Sequence, residues 1–338
     1  MKKLGILLLF CSLLLQVSCN YFRGQKKDIK EDGFLYVRTG AGMDEVLDSL
    51  SDKLNQPDAF RTYALSREYS SKIKAGKYKL SKSESNKELL NRLILGIQEE
   101  VPLMIGNEPT IFHLAGKVSK KIEADSAQIV KAIIDYAKKQ NPVLDAETVK
   151  IYFLPNTYNF FWPTDGEQFV ERMYAEFQKV WTEERQQKAD EMGLSTLQVF
   201  TLASIVQMES SKTDEQPMVA QAYLNRLAEG MKLQADPTSV YAYKLQNGFN
   251  HRIQRVTGIH LSAPSEYNTY KVHGLPPAPI CLPNLSAIDA VLNPEPHPYV
   301  YFCADPDRPG YHSYTNSYAE HQKNAAKYRE WLESRGIR

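Results

Sequence analysis

The segment from Leu197 to Val206 constrains the fold more than any other, because it reads as a helix without a solvent side. Ser195-Thr-Leu-Gln198 spells a capping box, so a helix is expected to start there and run through Leu202, Ile205 and Val206 to Met208 and Glu209. Its side chains are apolar on nearly every face, and such a helix is stable only when other elements wrap it. The segment therefore predicts a sizeable domain built around this helix, for which 338 residues at 43% hydrophobic content are ample.

The same helix carries the leading candidate for chemistry. With roughly 100° of rotation per residue, Glu209 sits one turn beyond Ile205 and nearly above Leu202, so its carboxylate projects from a buried stripe. Desolvation disfavours the ionised form of such a group and raises its pKa. A proton retained near neutral pH suits a general acid that protonates a glycosidic oxygen. The competing reading is a helix-terminal Glu paired with a nearby Arg or Lys. Thr213-Asp-Glu-Gln216 spells a second capping box with Pro217 in its first turn, followed by Val219, Tyr223, Leu224 and Leu227 on one face. Two helices joined by a short polar turn leave Glu209 at the mouth of their junction. Asn225 and Arg226 then end the second helix on its polar side, open to a ligand or simply solvated.

The N-terminus reads as an export signal. Lys2 and Lys3 precede an apolar run from Leu4 to Leu15 and then Gln16-Val-Ser-Cys19, so residues 1–19 form a leader or anchor. The run is shorter than the ~20 residues a membrane-spanning helix needs. Cys19 after Val-Ser resembles a bacterial lipoprotein processing site, although Gln16 stands where Leu or Val is usual; an ordinary cleavage site or an uncleaved anchor is the alternative. Of the four cysteines, Cys281 and Cys303 remain for the folded part, either as a bridge or as free thiols, with Cys303 in the apolar run Tyr299–Ala304.

Residues 20–33, rich in Lys, Arg, Glu and Asp, read as a solvated tether. A strand is expected over Phe34–Thr39, a helix over Met43–Leu54, a strand over Ala75–Leu80 and a helix over Ser85–Leu95. A strand-like run, Glu100–Ile105, leads to helical stretches at Ile111–Ile122 and Ser126–Lys139. An aromatic segment, Ile151–Pro163, precedes a polar helix from Gly166 to Met192. The fold class is α+β: a small α/β module over 34–105, whose size and short strands and helices resemble a LysM-type glycan-binding module, and a mixed α+β domain over 106–338.

The 41 basic and 40 acidic residues give a net charge of +1, and loss of Lys2 and Lys3 with the leader makes it −1. No basic face is blocked out, which argues against a nucleic-acid partner. The seven His form neither a His-Glu-x-x-His motif nor a zinc-type cluster, and no Gly-rich phosphate loop is present, so no metal or nucleotide cofactor is implied.

Five blocks carry a specific resemblance: Leu202-Ala-Ser-Ile-Val-Gln-Met-Glu-Ser210, Val219-Ala-Gln-Ala-Tyr-Leu-Asn-Arg226, Gly230-Met-Lys-Leu-Gln-Ala-Asp-Pro-Thr238, Tyr267-Asn-Thr-Tyr270 and Gly274-Leu-Pro-Pro277. In order and spacing they resemble the MltG (YceG-like) family of murein lytic transglycosylases. The likeness extends through Asn293-Pro, Tyr299-Val-Tyr-Phe, His312-Ser-Tyr and His321-Gln-Lys-Asn324, with core blocks over 195–324. It implies a membrane-anchored enzyme whose catalytic domain lies outside the cytoplasmic membrane. Such an enzyme cuts the MurNAc–GlcNAc bond of nascent glycan strands and leaves 1,6-anhydro-MurNAc ends, near the glycan-polymerising penicillin-binding proteins. Glu209 matches the family's catalytic Glu. Gln207 replaces an acid usual in Ile-Val-Glu-Lys-Glu, and either donates to a sugar or faces a neighbouring segment. Asn156 replaces the acid of Phe-Pro-Asp-Thr-Tyr, which weakens any catalytic role there.

The resemblance and the polar content of these blocks make Gln207, Asn225, Arg226, Gln234, Asp236, Thr238, Asn268, Tyr270 and His312 the candidate substrate-binding residues. Asp236 is either electrostatic support or a turn former, and Asn268 and Tyr270 offer an amide and a ring to N-acetyl groups. Two other functions share the substrate: a lysozyme-like hydrolase, which normally needs a second carboxylate to activate water, and a non-catalytic peptidoglycan-binding protein.

Overall fold

The computed structural model describes residues 20–67, 73–140, 142–253 and 255–336; the expected leader with Cys19 lies outside them. The chain divides into two compact units. The first comprises the described residues up to Leu103 with Val118–Asp125 and Tyr158–Asp165; the second comprises Met104–Lys117, Ser126–Thr157 and the chain from Gly166. Helices and short two-stranded sheets make up an α+β fold. Among the described residues no helix is long and apolar enough to cross a membrane.

In the first unit, β1 (Gly33–Val37) pairs antiparallel with β2 (Gly76–Leu80) in the register Leu35↔Tyr78. The twofold alternation of a strand sends Leu35 and Val37 into the core and leaves Phe34 and Tyr36 exposed. Between the strands lie two helices, Met43–Ser51 and Pro57–Leu65. The second is absent from the sequence reading, although Pro57 at its first turn and Phe60, Tyr63 and Ala64 on its buried face mark it. Ser85 caps the helix Asn86–Leu95 with a full capping box to Glu88. Part of the expected tether belongs to this unit instead. Ile29 and Asp28 are buried, and the Asn86 and Asn55 amides donate to Lys26 O and Asp28 O at 2.8 and 2.7 Å. One apolar residue amid charges leaves no periodic signal, which is why composition alone misplaced it.

β3 (Glu100–Ile105) pairs with β4 (Asn156–Phe161). The second unit is organised around the helix Thr196–Glu209, whose residues from Val199 to Val206 are all buried. Ser195 supplies the expected capping box with Gln198. Helices Glu183–Glu191, Gln216–Ala228, Asp236–Asn247 and Leu285–Leu292 pack around it. Burying each Leu or Ile of this helix contributes on the order of 1.5–3 kcal/mol, which is what holds an all-apolar helix in place. The expected single polar helix from Gly166 to Met192 is two, Gly166–Val180 and Glu183–Glu191, because Thr182 takes extended backbone and caps the second through Arg185 N. A hairpin of β5 (Tyr301–Ala304) and β6 (His312–Thr315), register Ala304↔His312, and a helix Tyr318–Ser334 complete the unit. Cys281 and Cys303 are free thiols, the first buried with Sγ against Ser204 O at 3.7 Å.

Candidate active site

Glu209 ends the central helix, and Ser210 after it is already extended. The residue as a whole retains some exposure, but its Oε2 is sealed from solvent and has no hydrogen-bond partner. Burial pushes the carboxyl up to about 7; the His312 ring, the Tyr223 hydroxyl and Arg226 oppose the rise, and Asp236 adds to it. The competing reading of a Glu paired with a nearby Arg or Lys does not hold, since among the described residues no ion pair reaches Glu209.

Asp236 and Tyr270 form one side of the site. The Tyr270 hydroxyl donates to Asp236 Oδ1 at 2.6 Å. Asp236 opens the helix Asp236–Asn247, with only Ala235 between it and Gln234, whose φ of 48° makes it the one non-glycine residue with positive φ among those described. That strained turn is held by Gln234 N to Thr269 O at 3.2 Å and Ala235 N to Thr269 Oγ1 at 3.0 Å. Strain of this kind persists only where surrounding contacts over-determine it, and it collects at functional sites.

His312 and Glu215 form the other side. Glu215 is buried and accepts from His312 N at 2.6 Å, while the His312 Nδ1 lies 3.2 and 3.1 Å from its two oxygens. Ser210 Oγ donates to the same carboxylate at 2.8 Å. Burial pulls Glu215 upward, but the bonds from His312 and Ser210 prevail and hold it below the usual carboxylate value. Thr213 therefore caps nothing: the helix begins at Gln216 after Glu215, which has no free oxygen for capping, and Gln216 Nε2 binds Ser210 O at 3.1 Å instead.

Of the expected substrate contacts, Asp236, Tyr270 and His312 gather around Glu209, with Gln234 exposed beside Asp236. The others serve the framework. Gln207 Oε1 accepts from Asn284 N at 3.3 Å. Asn225 Nδ2 donates to His297 O and Tyr299 O at 2.7 and 2.9 Å, so this half-buried side chain staples the chain before β5. Arg226 is buried, not solvated; its guanidinium donates to Val300 O at 2.6 Å and to Leu233 O, and reaches Glu209 only through its charge. Thr238 is buried with its hydroxyl 2.7 Å from Thr269 Oγ1. Asn268 is fully buried, donating to Leu261 O and Ala263 O at 3.1 and 2.8 Å and accepting from Tyr270 N at 3.1 Å. It thereby fixes the loop that presents Tyr270. A side-chain amide satisfies several orphan loop groups at once, and that use is indistinguishable in sequence from sugar binding.

Three residues of the site went unread in sequence: Tyr223, taken only as part of a buried face, Glu215, and Tyr314. The Tyr314 hydroxyl is buried and lies within the field of Glu215 and Glu209.

Residues 35–327 match the YceG-like family. The chain belongs to the YceG-like family. Among its relatives, the endolytic murein transglycosylase of Streptococcus pneumoniae strain D39 is 29% identical over 297 residues, 80% of this chain and 53% of that protein. The endolytic murein transglycosylase of Bacillus subtilis strain 168 is 25% identical over 323 residues, 90% of this chain and 86% of that one. The chain thus spans about half the length of the pneumococcal relatives it matches. The crystal structure of a yceG-like protein from Listeria monocytogenes superposes with a TM-score of 0.57 at 26% identity, covering 87% of this chain and 99% of that one. Family membership accords with the block order read between Leu202 and Pro277.

Proposed function

We propose that this protein is an endolytic murein transglycosylase in which Glu209 is general acid and then general base. The observation that carries the reading is the Glu209 carboxyl, protonated to about pH 7 and with an unpartnered Oε2. Glu209 protonates the glycosidic oxygen as the bond to the muramyl anomeric carbon breaks. The muramyl C6 hydroxyl attacks that carbon, and the Glu209 carboxylate takes the hydroxyl proton, so a 1,6-anhydro end forms without water. Asp236, within the field of Glu209, supports the positive charge that develops at the anomeric centre. The names of the pneumococcal and Bacillus relatives support murein as the substrate.

The proximity of Asp236 also favours a second reading, a hydrolase with Asp236 activating water. The apolar run Leu4–Leu15 and Cys19 support anchoring of the N-terminus in the membrane, with the catalytic unit on its outer side. On that reading the protein acts on nascent strands beside glycan polymerases and ends their elongation. The β–α–α–β order of the first unit supports a LysM-like glycan-binding role for it. Digestion of uncrosslinked glycan strands by the full chain tests the enzymatic reading. Glu209→Gln should abolish cleavage in a folded protein, and a well-folded variant retaining more than a few per cent of the rate would remove Glu209 from the acid role.

A further inference from the structure

Glu215 lies outside the residues that the proposed reaction uses, yet it is the most heavily engaged buried carboxylate beside them. Its exposure is 5%, and it binds two separate elements at once. On one side Ser210, the residue directly after Glu209, donates its hydroxyl to Oε2 at 2.8 Å. On the other, the His312 backbone amide donates to Oε1 at 2.6 Å and the ring Nδ1 lies 3.2 and 3.1 Å from the two oxygens. The carboxylate thus joins the end of the catalytic helix to β6.

We infer that Glu215 is a positioning residue that fixes the His312 ring against Glu209, and that His312 stabilises the Glu209 carboxylate once its proton has left. An ionised Glu215 only accepts hydrogen bonds, so Nδ1 carries the hydrogen it shares with Glu215. This sets the tautomer and the plane of the ring. The face of the imidazole is constrained as well, since Phe302 meets it edge-on at a centroid distance of 5.3 Å. Ring rotation is therefore blocked by packing on one side and by a two-point hydrogen bond on the other. When Glu209 gives its proton to the glycosidic oxygen, a carboxylate forms whose Oε2 has no hydrogen-bond partner, and the largest influence opposing the effect of burial on it is His312. His312 takes no part in the proton transfer, and the proton that Glu209 recovers comes from the muramyl C6 hydroxyl. A preorganised group aimed at charge that appears during the reaction lowers the barrier more than one that must reorient.

The inference rests on the proposed transglycosylase activity, and a double-mutant cycle on the full chain separates the two. Glu215→Gln should lower kcat roughly 10- to 100-fold, the range typical of residues that orient a primary group, with KM within about twofold. In a His312→Gln background the same change should cost less than about twofold, because Glu215 acts through the ring. Glu215→Asp should recover part of the rate. Nitrogen-15 NMR of the parent protein should show a His312 Nδ1–H signal protected from exchange, a readout that survives even if Glu215→Gln does not fold. An active parent whose two single losses multiply, or whose Nδ1 carries no protected proton, overturns the inference alone. A parent that cuts no glycan overturns the proposed activity and this inference with it.

Discussion

Tyr270 and Asp236 are joined by a 2.6 Å hydrogen bond, contributed by a loop and a helix start that are 34 residues apart in sequence. The bond engages one carboxylate oxygen of Asp236 and so restrains the orientation of the group. Asn268 presents Tyr270 from below, its own amide consumed by the loop. Tyr270→Phe should therefore lower kcat by roughly tenfold while the product stays the same, since a charge-assisted bond contributes about 1.5–3 kcal/mol. Steady-state digestion of glycan strands measures this; an unchanged rate would mean that Asp236 needs no orientation.

Buried Glu209 links stability to pH in a definite direction. Its carboxyl titrates at about 7 in the fold against 4.5 for an unburied Glu. Below the lower value both folded and unfolded chains are protonated and nothing is lost. As pH rises between the two values the unfolded chain ionises first, so stability falls, by roughly 3 kcal/mol in all once the folded pKa is passed. Glu209→Gln escapes that loss. Its melting temperature should match the parent's near pH 4 and exceed it at pH 8, and equal melting at both would contradict the burial argument. The same titration predicts that cleavage declines above about pH 7, as the acid loses its proton.

Lys150 is the most deeply buried cation of the second unit, with no side-chain exposure. Its ammonium meets Glu147 Oε2 at 2.7 Å, the Tyr241 hydroxyl at 3.0 Å, Pro109 O at 3.2 Å, and Pro279 O. Burial lowers its pKa, and the carboxylate of Glu147 works against that fall. Lys150→Met takes that donor from Pro279 O and the opposing charge from Glu147, which keeps only the Tyr241 and Tyr267 hydroxyls at 2.7 and 3.4 Å, and should cost about 3–5 kcal/mol, lowering the melting temperature by on the order of 10 °C. Glu147→Gln added to it should return part of the loss. Thermal unfolding followed by circular dichroism measures both, and a change under about 1 kcal/mol would show that the cluster is dispensable.

The sequence made the centre of the site legible and its rim much less so. Glu209 was readable because a helix with one polar residue on an apolar stripe has few explanations, and the capping box at Ser195 set its phase. Asp236, Tyr270 and His312, which the structure gathers around Glu209, were read from blocks whose order is specific. Arg226, Asn225 and Asn268 were misplaced because a polar side chain that satisfies a backbone carbonyl looks in sequence like one that awaits a ligand. Glu215 escaped notice because it stood inside an apparent capping box, where its acid had a local use. In the fold, Pro57–Leu65 was lost to a run of mixed polarity, and the break at Thr182 was hidden because the helix after it is polar almost throughout, with Ala189 its one buried residue.

The central claim is that one carboxylate and the substrate's own hydroxyl suffice for cleavage. It is tested most directly by digesting uncrosslinked glycan strands with the full chain in heavy-oxygen water and weighing the new ends. The account predicts 1,6-anhydro-muramyl ends, lighter by one water than a reducing end and free of solvent oxygen. Reducing ends that carry the heavy isotope would contradict it and make Asp236 the base of a hydrolase.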